Sequence, residues 1–218
     1  MSDVIISLKD VCMEFNSELV LKNITHDFEK GKIHGIVGKN GSGKTVMMKC
    51  ICGFLLPTQG EIYVQGKRIG KDADFPDDIG VIIEVPGFLP YFSGYQNLQM
   101  LASLNNKICK QQIIQTMERV GLNPKMKKSV AKYSLGMKQR LGIAQAIMEN
   151  PSLLILDEPM NGLDKHAIKD VRELLITLRD EGKTIILASH NAEDIDLLCD
   201  TICEMDCGEL YSNGESIL

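Results

Sequence analysis

The sequence predicts an α/β fold with a largely parallel sheet, and three observations carry that prediction. Apolar β-type runs alternate with helix-type stretches along most of the chain. A glycine-rich segment, GKNGSGKT at residues 38–45, lies where a strand gives way to a helix. Residues 90–150 hold helices and no strong strand candidate, whereas residues 1–60 and 151–218 carry most of the strands. Alternating strands and helices put a parallel sheet between two helical layers. The expected organisation is one domain over 1–218. A β-rich core of about 1–87 and 151–218 carries a helical insert over about 88–150, because lengthening a surface loop costs little closure entropy.

Taken in order, Val4 to Leu8 reads as the first strand and Ile33 to Val37 as a buried one. A helix opens at Gly43 and runs toward Cys52, with Val46, Met47, Met48 and Ile51 as its apolar positions. Glu61 to Val64 and Ile79 to Ile83 follow as strands. Helices are expected over Gln96 to Leu104, Lys110 to Val120 and Gly136 to Met148, the last amphipathic through Leu141, Ile143 and Ile147, with Ser134 as its cap. Leu153 to Leu156 is a four-residue apolar strand, followed by a helix over Lys165 to Arg179, a strand over Thr184 to Ala188 and a helix over Ala192 to Leu198.

Composition narrows the function classes. The chain has 218 residues, 44% hydrophobic and 24% charged, the balance of a globular protein and not of a disordered one. Its longest apolar runs are four residues, far short of the roughly 20 that span a bilayer. The start, MSDVIISLKD, shows no basic region followed by a long apolar stretch, so no secretory signal is expected. A net charge of −5 argues against nucleic acid as a partner, and Lys125, Lys127 and Lys128 read as a solvated face. Seven cysteines without a CxxC pair read as reduced, mostly buried thiols. Cys199, Cys203 and Cys207, four apart but without zinc-type spacing, are expected to fill a core around a strand.

Two motifs carry chemistry. GKNGSGKT matches G-x-x-x-x-G-K-[ST] in full. Gly38, Gly41 and Gly43 let the backbone curl around an anion, with Lys39, Asn40 and Ser42 completing the loop and the next helix presenting its positive end. Lys44 is expected to reach the β- and γ-phosphates and Thr45 to place its hydroxyl on Mg²⁺. In LLILDE at 153–158, Asp157 and Glu158 emerge at the carboxyl end of a buried strand, where α/β sheets bind ligands. Asp157 suits the metal; Glu158, one residue on, points elsewhere and suits a water beside the γ-phosphate.

These motifs, with YSLGMKQRLGIAQAI at 133–147 between them, LLILDEPMNGLD at 153–164, and His190 after TIILAS, resemble the ATP-binding subunits of ABC transporters over essentially the whole chain. The resemblance implies a P-loop NTPase of the ABC ATPase type, with a mixed β core, an inserted helical subdomain and an N-terminal antiparallel β region. It implies ATP and Mg²⁺ as ligands, and a head-to-tail pair with a second ATP-binding subunit, identical or different. It further implies separate transmembrane permease subunits and a place on the cytoplasmic face of the membrane. Ser134, Leu135, Gly136, Met137, Lys138 and Gln139 stand where the family has LSGGQ and would cap the nucleotide of the other subunit. Here Leu135 replaces the first glycine of that motif.

Asn161, Gly162, Leu163 and Asp164 look like the family's D-loop, running along the dimer interface. His190 looks like the γ-phosphate contact that also orients Glu158, the expected base beside Lys44. IGVIIEVPGF at 79–88 resembles the Q-loop segment, with Glu84 in the glutamine position, where its carboxylate suits Mg²⁺. The altered signature and Glu84 together resemble the branch of bacitracin, lantibiotic and multidrug exporters. Phe15 stands about where the family stacks an aromatic on adenine, and is equally suited to a core position. Phe88, Leu89, Tyr91 and Phe92 either meet the membrane subunit or pack the helical insert on the core.

Overall fold

The computed structural model describes residues 4–84 and 87–213. Two sheets divide the strands. β1 (Val4–Phe15) and β2 (Glu18–Glu29) form a long hairpin; β4 (Gln59–Val64) pairs with the other edge of β1, and the two-residue β5 (Lys67–Arg68) with β4. All these pairings are antiparallel. The second sheet has the order β10-β9-β3-β8-β7-β6, from β3 (Ile33–Val37), β6 (Ile79–Ile82), β7 (Leu153–Asp157), β8 (Thr184–Ala188), β9 (Thr201–Asp206) and β10 (Glu209–Asn213). It is parallel from β9 to β6, with β10 antiparallel on its edge. The expected strands Val4 to Leu8 and Glu61 to Val64 lie in the antiparallel sheet, the N-terminal antiparallel region that the resemblance implies.

The reason is visible in the burial. β7 and β8 are buried nearly throughout, as strands covered on both faces must be. One side of the parallel sheet packs Ile36, Ile155 and Ile186 against the antiparallel sheet through Ile6, Leu8 and Phe28, with α1 (Lys44–Ile51) between them. The other side packs Leu154, Leu156 and Leu187 against α5 (Lys165–Asp180), α6 (Ala192–Leu198) and the helices that lie between β6 and β7. Those helices are α2 (Gly94–Asn105), α3 (Lys110–Arg119) and α4 (Leu135–Ile147), joined by a 3₁₀ turn at Val130–Lys132. A capping box at Ser93 and Gln96 starts α2 two residues ahead of the sequence expectation. Among the described residues no helix is long and apolar enough to cross a membrane.

The cysteines divide. Cys12, Cys50, Cys52, Cys199 and Cys203 are buried, and Cys109 and Cys207 are exposed. Cys199 closes α6, Cys203 lies on β9 and Cys207 sits in the following turn, so the four-residue spacing does not bring the three thiols onto one helix.

Candidate nucleotide site

Three strand ends of the parallel sheet build the site. β3 delivers its chain into the loop at 38–43, and α1 leaves it. Two glycines make that loop possible. Gly38 has φ 151°, and a Cβ there would stand 2.2 Å from the Met205 carbonyl oxygen; Gly43, at φ 111°, caps α1 in a backbone region closed to most L-residues. Lys44 is almost fully buried, and its Nζ donates to the carbonyls of Gly38 at 2.6 Å and Lys39 at 3.0 Å. The lysine thus folds back around the loop and holds a positive charge inside its curve. Ser42 Oγ is buried and, among the described residues, meets no hydrogen-bond partner. Buried polar atoms are almost always paired, so an unpaired hydroxyl beside the positive end of a helix is the mark of a cradle shaped for an external acceptor.

β7 supplies the carboxylates. Asp157 Oδ2 accepts a hydrogen bond from Thr45 Oγ1 at 2.7 Å, joining the strand end to the first turn of α1. Glu158 follows in a left-handed conformation, φ 50°, fixed by its N–H donating to the Ala188 carbonyl at 3.0 Å on β8. Sparsely populated backbone of this kind persists only where the surroundings impose it, and concentrates at functional sites. The turn swings the Glu158 side chain away from Asp157, so that Oε2 meets His190 Nδ1 at 2.8 Å. The two adjacent acids thereby have separate partners: a hydroxyl for one, an imidazole for the other.

The loop, both acids, Glu84, Leu135 and Gln139 line one cavity of about 640 Å³, with Asn40, Gly41 and Asn161 at its rim. Lys39 and His190 line a neighbouring cavity on the other side of the loop. Glu84, also at positive φ (61°), places Oε1 2.5 Å from Lys49 Nζ on α1. Its carboxylate pairs with that lysine and lines the same cavity as Thr45 and Asp157. Val85 and Pro86 of the Q-loop-like segment lie outside the described residues. Phe15 lies at the β1–β2 turn, paired in register with Glu18 and 39% exposed; the residue from this hairpin that reaches the cavity is Val20.

Ser134 caps α4, accepting from the Met137 N–H at 3.2 Å. Gly136 faces the Gly162 carbonyl, and Leu135 packs where a Cβ on Gly162 would fall, 2.3 Å from Leu135 Cδ2. The start of α4 therefore lies on the 161–164 loop of the same chain. Gln139 Nε2 continues the contact by donating to the Glu158 carbonyl at 3.2 Å. Asp164 caps α5 by accepting from Ala167 N–H at 2.9 Å, which holds its carboxyl below the usual aspartate range. Lys138 is half-buried on α4. Lys49 and Val20 escaped the sequence reading: Lys49 lies 35 residues from Glu84, and a lone lysine on a helix carries no motif.

A glycine-rich cradle at a helix start, facing a buried-strand aspartate and a glutamate bonded to histidine, defines a P-loop nucleoside-triphosphatase. Comparison with known proteins makes the class specific. The pattern of the ABC transporter family matches residues 21–161. An ABC transporter ATP-binding protein of Bacillus subtilis is 40% identical over 97% of both chains. A bacitracin transport ATP-binding protein of Enterococcus faecalis is 40% identical over 95% of this chain and 68% of its own. The solved structure of an ATP-binding subunit of an ABC transporter superposes with TM-score 0.87 at 25% identity, over 97% of this chain and 90% of that one. This chain belongs to the ABC transporter family and is an ATPase cassette of it.

Proposed function

We propose that the chain binds Mg·ATP at the 38–45 loop and closes head-to-tail with a second cassette. It would then hydrolyse the nucleotide to drive export through separate permease subunits at the cytoplasmic face of the membrane. The observation that carries the hydrolytic part is the separation of the two acids, which line one cavity: Asp157 is bonded to Thr45, and Glu158 to His190 from the neighbouring cavity. Thr45 and Asp157 would hold Mg²⁺, a hard cation that prefers oxygen donors. When bound, that ion neutralises charge on the β- and γ-phosphate oxygens.

Lys44 exchanges its two carbonyl contacts for phosphate oxygens, and Ser42 Oγ gains its missing partner. Glu158 accepts the proton of the attacking water, and His190 holds the carboxylate on that side of the site. Glu84, in contact with Lys49, adjusts the charge near the metal. Ser134 and Gly136 of the second subunit present a helix start to the γ-phosphate, the arrangement the unpaired helix N–H groups favour. Asn161 to Asp164 link the two sites, and residues of about 88–150 move as a helical subdomain. The bacitracin transport relative supports an antimicrobial peptide or drug as cargo.

Glu158→Gln tests this reading, since it keeps the shape of the site and removes the base. ATP turnover should fall at least about a hundredfold, and light scattering should show a monomer without nucleotide and a dimer with ATP. A variant that binds ATP, stays monomeric and still turns over would overturn it.

A further inference from the structure

His190 meets Glu158 with a side chain that is 67% exposed. An exposed side chain changes rotamer within nanoseconds, so the direction of this imidazole depends on the backbone that carries it. β8 ends at Ala188 and α6 starts at Ala192, and His190 stands in the turn between them. That turn is tied on both flanks of the histidine. Ser189 Oγ accepts the Asn191 N–H at 3.2 Å, and Asn191 Oδ1 accepts the Glu193 N–H at 3.0 Å. The Ser189 hydroxyl hydrogen is left to donate elsewhere.

It donates to a buried acid. Asp194 is 2% exposed, and a carboxylate leaves water only when it is paired and hydrogen-bonded. Arg172 of α5 supplies the pair: its Nε and Nη2 donate to Asp194 Oδ1 at 2.8 and 2.5 Å. Oδ2 accepts from Ser189 Oγ at 3.3 Å. Desolvating two charges can outweigh their attraction, and an apolar pair would join α5 to α6 as well. What an apolar pair lacks is the second oxygen, the one that commits the Ser189 hydroxyl and with it the turn. Asp194, Ser189, His190 and Glu158 line one small cavity of about 190 Å³. The buried ion pair and the Glu158–His190 contact therefore border the same space.

We propose that Arg172 and Asp194, acting through Ser189, are positioning residues that aim His190 at Glu158. Arg172 fixes the Asp194 carboxylate, Asp194 directs the Ser189 hydroxyl, and Ser189 fixes the peptide on the far side of His190. The same turn serves Glu158, whose N–H donates to the carbonyl of Ala188, next to Ser189. Displacing a reacting group by about 1 Å lowers a rate about a hundredfold, so a turn that carries an exposed imidazole needs such bracing. The effect on turnover rests on the reading of Glu158 as the base, whereas the aim of the ring is measurable without nucleotide.

Proton NMR of the nucleotide-free chain reads the ring. The chain has four histidines and so four Hε1 signals, of which His190→Ala identifies one by its loss. Glu158→Gln should shift that signal in the otherwise wild-type chain, and should leave it nearly unmoved when Ser189→Ala or Asp194→Asn is already present. Turnover completes the test. Ser189→Ala should lower kcat at least about tenfold with ATP affinity unchanged, and should lower it no further in a chain that already carries His190→Ala. A His190 signal that ignores Glu158→Gln in the wild-type chain, or responds to it equally without the Ser189 hydroxyl, would overturn the proposal. So would a Ser189→Ala loss that persists in full on top of His190→Ala, since the serine would then act on the fold and not through the imidazole. The expected ring shifts with undiminished turnover in His190→Ala would support the positioning and remove the hydrolytic role of the imidazole instead.

Discussion

His34 shows how a single buried side chain is committed to one protonation state. Its Nε2 faces the Glu29 carbonyl at 2.8 Å, an acceptor only, so that nitrogen carries the hydrogen; Nδ1 then accepts from Thr201 Oγ1 at 2.6 Å. Burial pushes the imidazole pKa below its ordinary value, and the carbonyl opposes this in part. The unfolded chain therefore takes up a proton near pH 6.5 while the folded one resists. The stabilisation is complete above that pH and is lost as pH falls, by up to about 1.4 kcal/mol per pH unit while the states differ by one proton. Chemical denaturation at neutral pH and at pH near 5 should show a smaller loss in His34→Gln than in wild type. Thr201→Val should cost about 1–3 kcal/mol at neutral pH by stranding Nδ1. At the nucleotide site, Lys44→Ala should lower ATP turnover at least about a hundredfold in a coupled assay, because it removes the charge that Lys44 holds against the Gly38 and Lys39 carbonyls inside the curve of the loop.

Among the elements, α4 ties the helical layer to the sheet, packing against both α3 and β6. Ser134 caps its start, and its flank meets β6 so closely that a Cβ on Gly80 would lie 2.0 Å from the Ala146 carbonyl. Ser134→Ala should destabilise by about 1 kcal/mol in thermal or denaturant unfolding, and Ser134→Asp should recover most of it. Gly80→Ala should destabilise more, since only backbone movement relieves the clash. The buried strands β3, β7 and β8 were legible because short apolar runs bounded by turn residues have few other fates. β2, β9 and β10 were not. β2 buries only Leu21, Ile24 and Phe28 at irregular spacing, and β9 alternates weakly as TICEMD, where Cys203 and Met205 face inward and Glu204 and Asp206 outward. A period of two carried by two inward residues is too short to read without its neighbours. The site followed the same rule. Its loop and strand-end acids are contiguous letters, whereas the Lys49–Glu84 pair and the Gln139 contact to Glu158 exist only once distant elements meet.

For the whole molecule, burial sorts the seven thiols into two classes. Those of Cys50, Cys52 and Cys199 are pushed up to about 12 and that of Cys203 to about 11 by loss of water. They cannot form the nucleophilic thiolate near neutral pH. Cys109 is exposed, with its thiol lowered by backbone N–H groups at the start of α3, and Cys207 is exposed in a turn. Titration with a thiol reagent should find two groups reacting promptly in the native protein and all seven after denaturation. More than two prompt groups would mean that one of the sheets opens in the native state.

The packing of Leu135 on Gly162, with Gln139 bonded to the Glu158 backbone, joins the start of α4 to the turn that carries Glu158. In the proposed closed pair, each chain would act as transmitter for one site and receiver for the other. Any change that occupancy of the first site made in the affinity of the second would, by thermodynamic linkage, be equal in both directions. The pair would then be a single two-input gate and not two independent enzymes.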